Sequence, residues 1–195
     1  MRVLLVYCHP VPESFTAAVC ATAKMALEAA GHDVDLIDLH GERFDPVMQA
    51  EERRAYHDIG AADHPLAGHV ARLKAARALV FVYPTWWYGL PAMLKGWLDR
   101  VITPGVGFDL PDGPGPIRPL LTHIEKIAIV STCGAPRWLL FWVGDPGRRT
   151  ILRGIRALCG RRCRTLWLAH YLMDSSTPQS RAAFLEKVDK RLKRF

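Results

Sequence analysis

The chain has 195 residues, half of them apolar and 23% charged, with a net charge of +7. That length supports one substantial core, and the composition is that of an ordinary globule. No apolar run approaches the ~20 residues that a membrane-spanning helix needs. The opening strand, RVLLVY, is too short in its apolar part for a signal peptide, so one domain over residues 1–195 is expected, in the cytoplasm and without membrane insertion. Five cysteines (Cys8, Cys20, Cys133, Cys159, Cys163) suit that compartment as free thiols. Cys159 and Cys163 lack the second Cys or His pair of a structural zinc site, so no metal is expected.

In chain order, residues 3–7 form a continuous apolar run, as a strand buried on both faces should. Phe15, Ala18, Val19, Thr22, Met25, Ala26 and Ala29 then recur at helical spacing, with Gly31 as the stop. Residues 34–39 alternate polar and apolar, which suits an edge strand. A polar segment rich in charge and His follows from residue 40 to about 64 and reads as loop. A helix over 66–76 leads into a second buried strand, ALVFVY, at 78–83. The next helix spans 91–101 with Pro91 in its first turn, and the Gly- and Pro-dense 105–119 reads as loop. IAIV at 127–130 is a fourth strand.

The arginine-rich stretch 147–164 reads as a helix, with Arg149, Arg153 and Arg156 on one face and Ile151, Leu152, Ile155 and Leu158 toward the core. Its basic face is either simply solvated, or a phosphate site, or a dock for an acidic surface. No nucleic-acid motif accompanies it, so nucleic acid is not the expected partner. A fifth strand at 165–171 and a helix at 178–192 complete the chain.

Alternating strands and helices mean a parallel sheet covered on both faces. Five strands in this length predict a flavodoxin-like three-layer α/β sandwich, its five-stranded parallel sheet in the order 2-1-3-4-5. Ligands of such sheets bind beyond the carboxyl ends of the strands, near the switch between strands one and three. Three loops lie there.

The first, CHPVPESFTAA, lets Ser14 cap the helix that begins at Phe15 and directs the N–H groups of Phe15 and Thr16 outward. That is a ready anion site, to which His9 could also donate; the alternative is a plain capped helix. It is neither a G-x-G-x-x-G nor a G-x-x-x-x-G-K-[ST] loop. The second, YPTWWYGLP, is stiffened by Pro84 and Pro91 and places Trp86, Trp87 and Tyr88 where a turn would use Gly, Asn, Asp or Ser. Such aromatics can stack on a planar ring, although a Trp can equally fill a core. The third, STCGAP, has small residues that let a backbone approach a ligand. Together the three describe a site for a flat ring with a phosphate tail, and a flavin fits best.

The motifs H-P-x-P-x-S-F, P-x-W-W-x-x-x-P-A-x-L-K-G-W-x-D-R and S-T-x-G carry a resemblance. Over nearly its whole length the chain resembles the flavodoxin-fold NAD(P)H:quinone oxidoreductases, the DT-diaphorase group and its bacterial flavoprotein relatives. The resemblance implies a tightly bound FMN or FAD and a homodimer with the active site at the subunit interface. It also implies alternating hydride transfers, from NADH or NADPH to a quinone-like acceptor. Carried over by position, His9, Ser14, Phe15 and Thr16 hold the flavin phosphate region. Pro84, Thr85, Trp86 and Trp87 line the isoalloxazine. Ser131, Thr132, Cys133 and Gly134 meet the ring's pyrimidine edge through backbone groups, whose N–H donors would stabilise charge developing there. The helix with Lys95, Gly96, Trp97, Asp99 and Arg100 lies near the dimer contact, and Arg148 or Arg149 is a candidate partner for a cofactor phosphate. FMN is expected over FAD, because a phosphate grip is visible and an adenine site is not.

The chain departs from the family in three places. Thr16 stands where Asn is frequent, and Cys133 where Gly is frequent. After the third loop, RWLLFWVGDPGRR lacks the Tyr and His that assist hydride transfer in the best-studied relatives, so no catalytic side chain is assigned. Trp138, Phe141 and Trp142 there either wall the flavin or pack in a dimer interface. Three other functions compete. A one-electron carrier of the flavodoxin type is disfavoured by the positive charge. An ancillary regulatory flavoprotein would dock its basic helix on a membrane transport system. A hydrolase would need a G-x-S-x-G or H-E-x-x-H motif, and neither is present.

Overall fold

Apolar runs of five to eight residues, rich in Val, Ile and Leu, are too short for core helices and pair side by side instead. The computed structural model describes residues 1–57, 63–111 and 113–195. Its elements run β1 (Arg2–Tyr7), α1 (Phe15–Ala29), β2 (Asp33–Asp38), α2 (Ala50–Arg54), α3 (Ala67–Ala75), β3 (Ala78–Thr85) and α4 (Ala92–Val101). They continue through β4 (Phe108–Asp109), β5 (Arg118–Pro119), β6 (Lys126–Cys133), α5 (Arg137–Val143), α6 (Pro146–Arg149), β7 (Arg164–His170) and α7 (Pro178–Leu192). The main sheet is parallel, in the order β2-β1-β3-β6-β7. Counting the five long strands alone, that is the expected 2-1-3-4-5.

Alternation along β1 divides the core. Val3, Leu5 and Tyr7 face α1 and α7, where Val19, Leu27, Phe184 and Val188 close one layer. Leu4, Val6 and Cys8 face the other way, toward Val70 and Leu73 of α3, Trp97 and Leu98 of α4, and Ile151 and Ile155. The polar edge strand β2 is held from outside by Arg72, whose Nη2 donates to Asp35 at 2.6 Å.

Several elements differ from the sequence reading. β3 runs on through Pro84 and Thr85, and β6 through Ser131, Thr132 and Cys133, because the two strands go on pairing to the register Thr85–Cys133. The polar 40–64 segment contains α2, and its part at 58–62 lies outside the described residues. The 105–119 loop closes as the short hairpin β4–β5. Pro91 is the residue before α4 rather than one within its first turn. The arginine-rich stretch is not one α-helix to residue 164: after α6 it widens to a π-helix at Thr150–Ile155, turns at 158–163 and enters β7 at Arg164. Its expected sidedness holds, with Ile151, Ile155 and Leu158 buried and Arg149 and Arg153 exposed.

α4 divides its motif between two faces. Gly96, Trp97 and Arg100 point into the chain's own core, so this part of the motif serves the fold. Trp97 is fully buried, and a Cβ added to Gly96 would overlap the Pro46 carbonyl. Arg100 donates through Nε to both Glu52 oxygens at 3.0 Å and through Nη1 to the Asp45 carbonyl. Lys95 and Asp99 remain outside as an exposed i,i+4 pair. The Arg100 and Glu52 side chains are only 10% and 12% exposed, so removing one leaves the other uncompensated in a poor dielectric. Arg100→Ala is expected to cost about 3–5 kcal/mol in urea unfolding, whereas Lys95→Ala should change stability by under about 0.5 kcal/mol. Equal effects would mean that the Arg100 pair is no more buried than a surface one.

Candidate functional site

The loops after β1, β3 and β6 open at one end of the sheet, since Tyr7, Val82 and Val130 stand in register. In the first loop Ser14 Oγ accepts from Ala17 N–H at 3.1 Å and so caps α1. The N–H groups of Phe15 and Thr16 find no acceptor among the described residues. They are two of the orphan donors that every helix N-terminus leaves, here with the positive end of a 15-residue helix behind them. His9 Nδ1 lies 3.0 Å from the Val11 N–H and 3.2 Å from the Val11 carbonyl, and burial holds the His9 pKa below its usual value. With Nδ1 engaged by Val11, Nε2 is the ring atom left for a ligand. The Thr16 hydroxyl does not face the loop: it is buried against Thr132, Oγ1 to Oγ1 at 2.9 Å. Only the backbone of Thr16 is offered to a phosphate.

The second loop is a four-residue turn, closed by Gly89 N–H on the Trp86 carbonyl at 2.9 Å. Its central residues, Trp87 and Tyr88, have φ of 47° and 61°. Turns with both central residues left-handed belong to Gly, Asn and Asp, and bulky side chains there carry strain of the kind that gathers at functional sites. Trp86 is 45% and Trp87 94% exposed, so neither fills a core. Trp86 lies 6.2 Å from the His9 ring, centroid to centroid, which joins this turn to the first loop.

The third loop is shorter than the sequence suggests. Ser131 and Thr132 sit in the sheet between β3 and β7, so their backbone groups are committed to the ladders. Their hydroxyls pin the site's floor, Ser131 to Thr85 at 2.8 Å and Thr132 to Thr16. Cys133 still pairs with Thr85, so Gly134 and Ala135 are the first residues beyond the ladder. A Cβ on Gly134 would come within 2.9 Å of Asp174 Oδ2, so a carboxylate from the short 3-10 turn after β7 overlooks this loop. Asp174 carried no sequence signal, because only the return of the chain past β7 brings it here.

Burial pushes the Cys8 thiol up to about 11 and raises that of Cys133, which keeps both protonated near neutrality. No three His, Cys, Asp or Glu side chains gather as a metal site among the described residues. No described helix is long and apolar enough to cross a membrane. A cavity of about 570 Å³ beside α4 and the π-helix draws no lining residue from the three loops. What remains is a helix N-terminus with free donors, two exposed indoles and a glycine opening. That set fits a flat ring with an anionic tail, and the residues present therefore fit a flavin.

The sequence profile described as flavodoxin-like fold matches residues 1–192, and the chain belongs to that family. Within it, the resemblances run to proteins named as NAD(P)H oxidoreductases and quinone dehydrogenases. The ribosyldihydronicotinamide dehydrogenase (quinone) of Mus musculus is 31% identical over 132 residues, covering 56% of this chain and 54% of that one. The chain spans about half the length of the curated relatives it matches. The solved NAD(P)H:quinone oxidoreductase from Methanothermobacter marburgensis is 26% identical with a TM-score of 0.85, over 99% of this chain and 98% of that one. The FMN-dependent NADH-azoreductase of Bacillus anthracis, solved with FMN, has a TM-score of 0.75 at 13% identity over 99% and 98% of the two chains, a likeness of fold alone.

The strained turn gives a test that needs no ligand. Trp87→Gly removes a fully exposed ring and suits the left-handed backbone, so stability should hold or rise by about 1 kcal/mol. A loss above about 1 kcal/mol in chemical denaturation would make Trp87 a structural residue.

Proposed function

We propose that the protein is a flavin-dependent NAD(P)H oxidoreductase, passing two electrons to a quinone or a similar flat acceptor in a ping-pong cycle. The observation that carries this is the strained Trp86–Gly89 turn, held open beside a helix N-terminus with two unused donors. The names of the relatives support it. A bound flavin would take a hydride from NAD(P)H and surrender two electrons to the acceptor that follows in the same place. FMN is the preferred form, because a phosphate grip is the part of a flavin site that these residues supply.

The chain's own part is to bind and to orient. The Phe15 and Thr16 N–H groups and His9 Nε2–H would hold the phosphate. Pro84 and Thr85 end β3 and aim Trp86 and Trp87 at the ring. Gly134 would let backbone N–H groups approach the ring's pyrimidine edge, where they favour the reduced, negatively charged form. No Tyr or His stands in the 137–149 segment to carry a proton.

A homodimer belongs to this reading. Trp138, Phe141 and Trp142 are all exposed on α5, close after the third loop, and a patch of that kind marks an interaction surface. A second copy of the chain would cover it and wall the acceptor site. All five cysteines are free, in keeping with a cytoplasmic setting.

The purified protein should be yellow, bleached by NAD(P)H and recoloured by a quinone under anaerobic conditions. Trp86→Ala should retain less than about a tenth of the flavin, in line with stacking worth ~1.5 kcal/mol or more. A colourless protein that takes up neither FMN nor FAD would end the oxidoreductase reading. Phe141→Arg should shift the sedimentation coefficient from dimer to monomer, and an unchanged dimer would remove α5 from the interface.

A further inference from the structure

NADH and NADPH differ by one phosphate, on the 2′ position of the adenosine ribose, and that extra phosphomonoester must be met by charge if the two are to be told apart. A cleft of about 290 Å³ opens past the third loop, where Arg137, Phe141 and Arg148 face Trp167 of the edge strand β7, Tyr171 just beyond that strand and Lys187 of α7. Arg137 follows Gly134 by three residues, and Tyr171 continues directly from His170, which pairs with Thr132. The cleft is therefore at the same end of the sheet as the three loops. Gly147 ties it to the tryptophan turn: a Cβ there would lie 3.1 Å from the Gly89 backbone, and Arg148 is the next residue.

Its charge is specific. Arg148 contacts Asp145, Nη1 to Oδ2 at 3.3 Å, and lies over the Trp167 ring at 5.8 Å. Neither Arg137 nor Lys187 has a carboxylate within 4.0 Å among the described residues. Three cations against one carboxylate leave two positive charges uncompensated, the match for a phosphomonoester of about −1.5 to −2. Trp167 and Tyr171 add flat surface for a purine. Arg149, by contrast, is exposed and packs toward Gly144, outside the cleft.

We propose that this cleft receives the 2′-phosphoadenosine end of NADPH and makes NADPH the preferred hydride donor. The inference rests on the oxidoreductase reading above, and its test separates the two. Calorimetric titration of the purified protein with 2′-AMP, 5′-AMP and inorganic phosphate probes the cleft without turnover. Steady-state kinetics with NADPH and NADH then probe its effect. The expected result is 2′-AMP binding at least about tenfold tighter than either 5′-AMP or phosphate, the size of one charge-assisted contact. Preference for NADPH in kcat/KM should be of similar size and should reside in KM. Arg148→Ala and, independently, the exposed Arg137→Ala should each reduce both ratios by about threefold or more, with flavin content unchanged. Equal binding of the two nucleotides, phosphate binding as tight as 2′-AMP, or ratios unmoved in both variants would overturn the proposal. A protein without flavin that still selects 2′-AMP would overturn the oxidoreductase reading and leave the cleft assignment standing.

Discussion

The site depends on one pairing, that of β3 with β6, in register from Ala78–Lys126 to Thr85–Cys133. Both strands are buried nearly throughout, and both outlast the core that buries them. Their last residues exchange the Thr85–Ser131 hydroxyl contact, and Thr132 reaches across to Thr16 in the first turn of α1. Three loops that would otherwise be independent thereby share one rigid floor. Side-chain hydroxyls do this because the backbone there is already spent in the ladders, and a buried hydroxyl without a partner costs a few kcal/mol. The floor is as much a device for satisfying polar groups as for placing them.

Most of the fold was legible because its signals are local. Continuous apolar runs gave the buried strands, and the alternating run at 34–39 gave the edge strand β2. Ser14 sits where a helix cap belongs, and it accepts a first-turn backbone N–H. The strand ends were misjudged because Pro84, Thr85, Ser131 and Thr132 have the composition of a loop. Their strand character comes from partners far away in sequence, which no local pattern records. The π-helix at Thr150–Ile155 was illegible for a similar reason: Gly154 and the arginines permit α-helix equally well, and only the meeting of Ile151 and Ile155 with the core sets the wider turn.

The site itself was half legible. Trp86, Trp87 and Tyr88 were conspicuous because they violate turn chemistry, and the structure shows that violation as left-handed backbone at Trp87 and Tyr88. Local rules failing at a candidate site is the expected pattern. The inward part of the same motif, Gly96, Trp97 and Arg100, packs into the core of its own chain. A contiguous motif mixes site and core residues, since alternate faces of a helix answer to different demands. Asp174, Tyr171 and Lys187 gave no signal at all, being assembled by the passage of β7 and α7 along the sheet edge.

The burial of the thiols has a consequence for the protein's durability. Cys8 and Cys133 end the strands that frame the loops, and each is held in its protonated form by the surroundings that enclose it. The thiolate, not the thiol, is the nucleophile that attacks peroxides and disulfides. A flavin bound as proposed would release peroxide when reduced and exposed to oxygen. Thiols near such a group would persist only if chemically silent. Here the silence comes from packing alone, with no partner cysteine required.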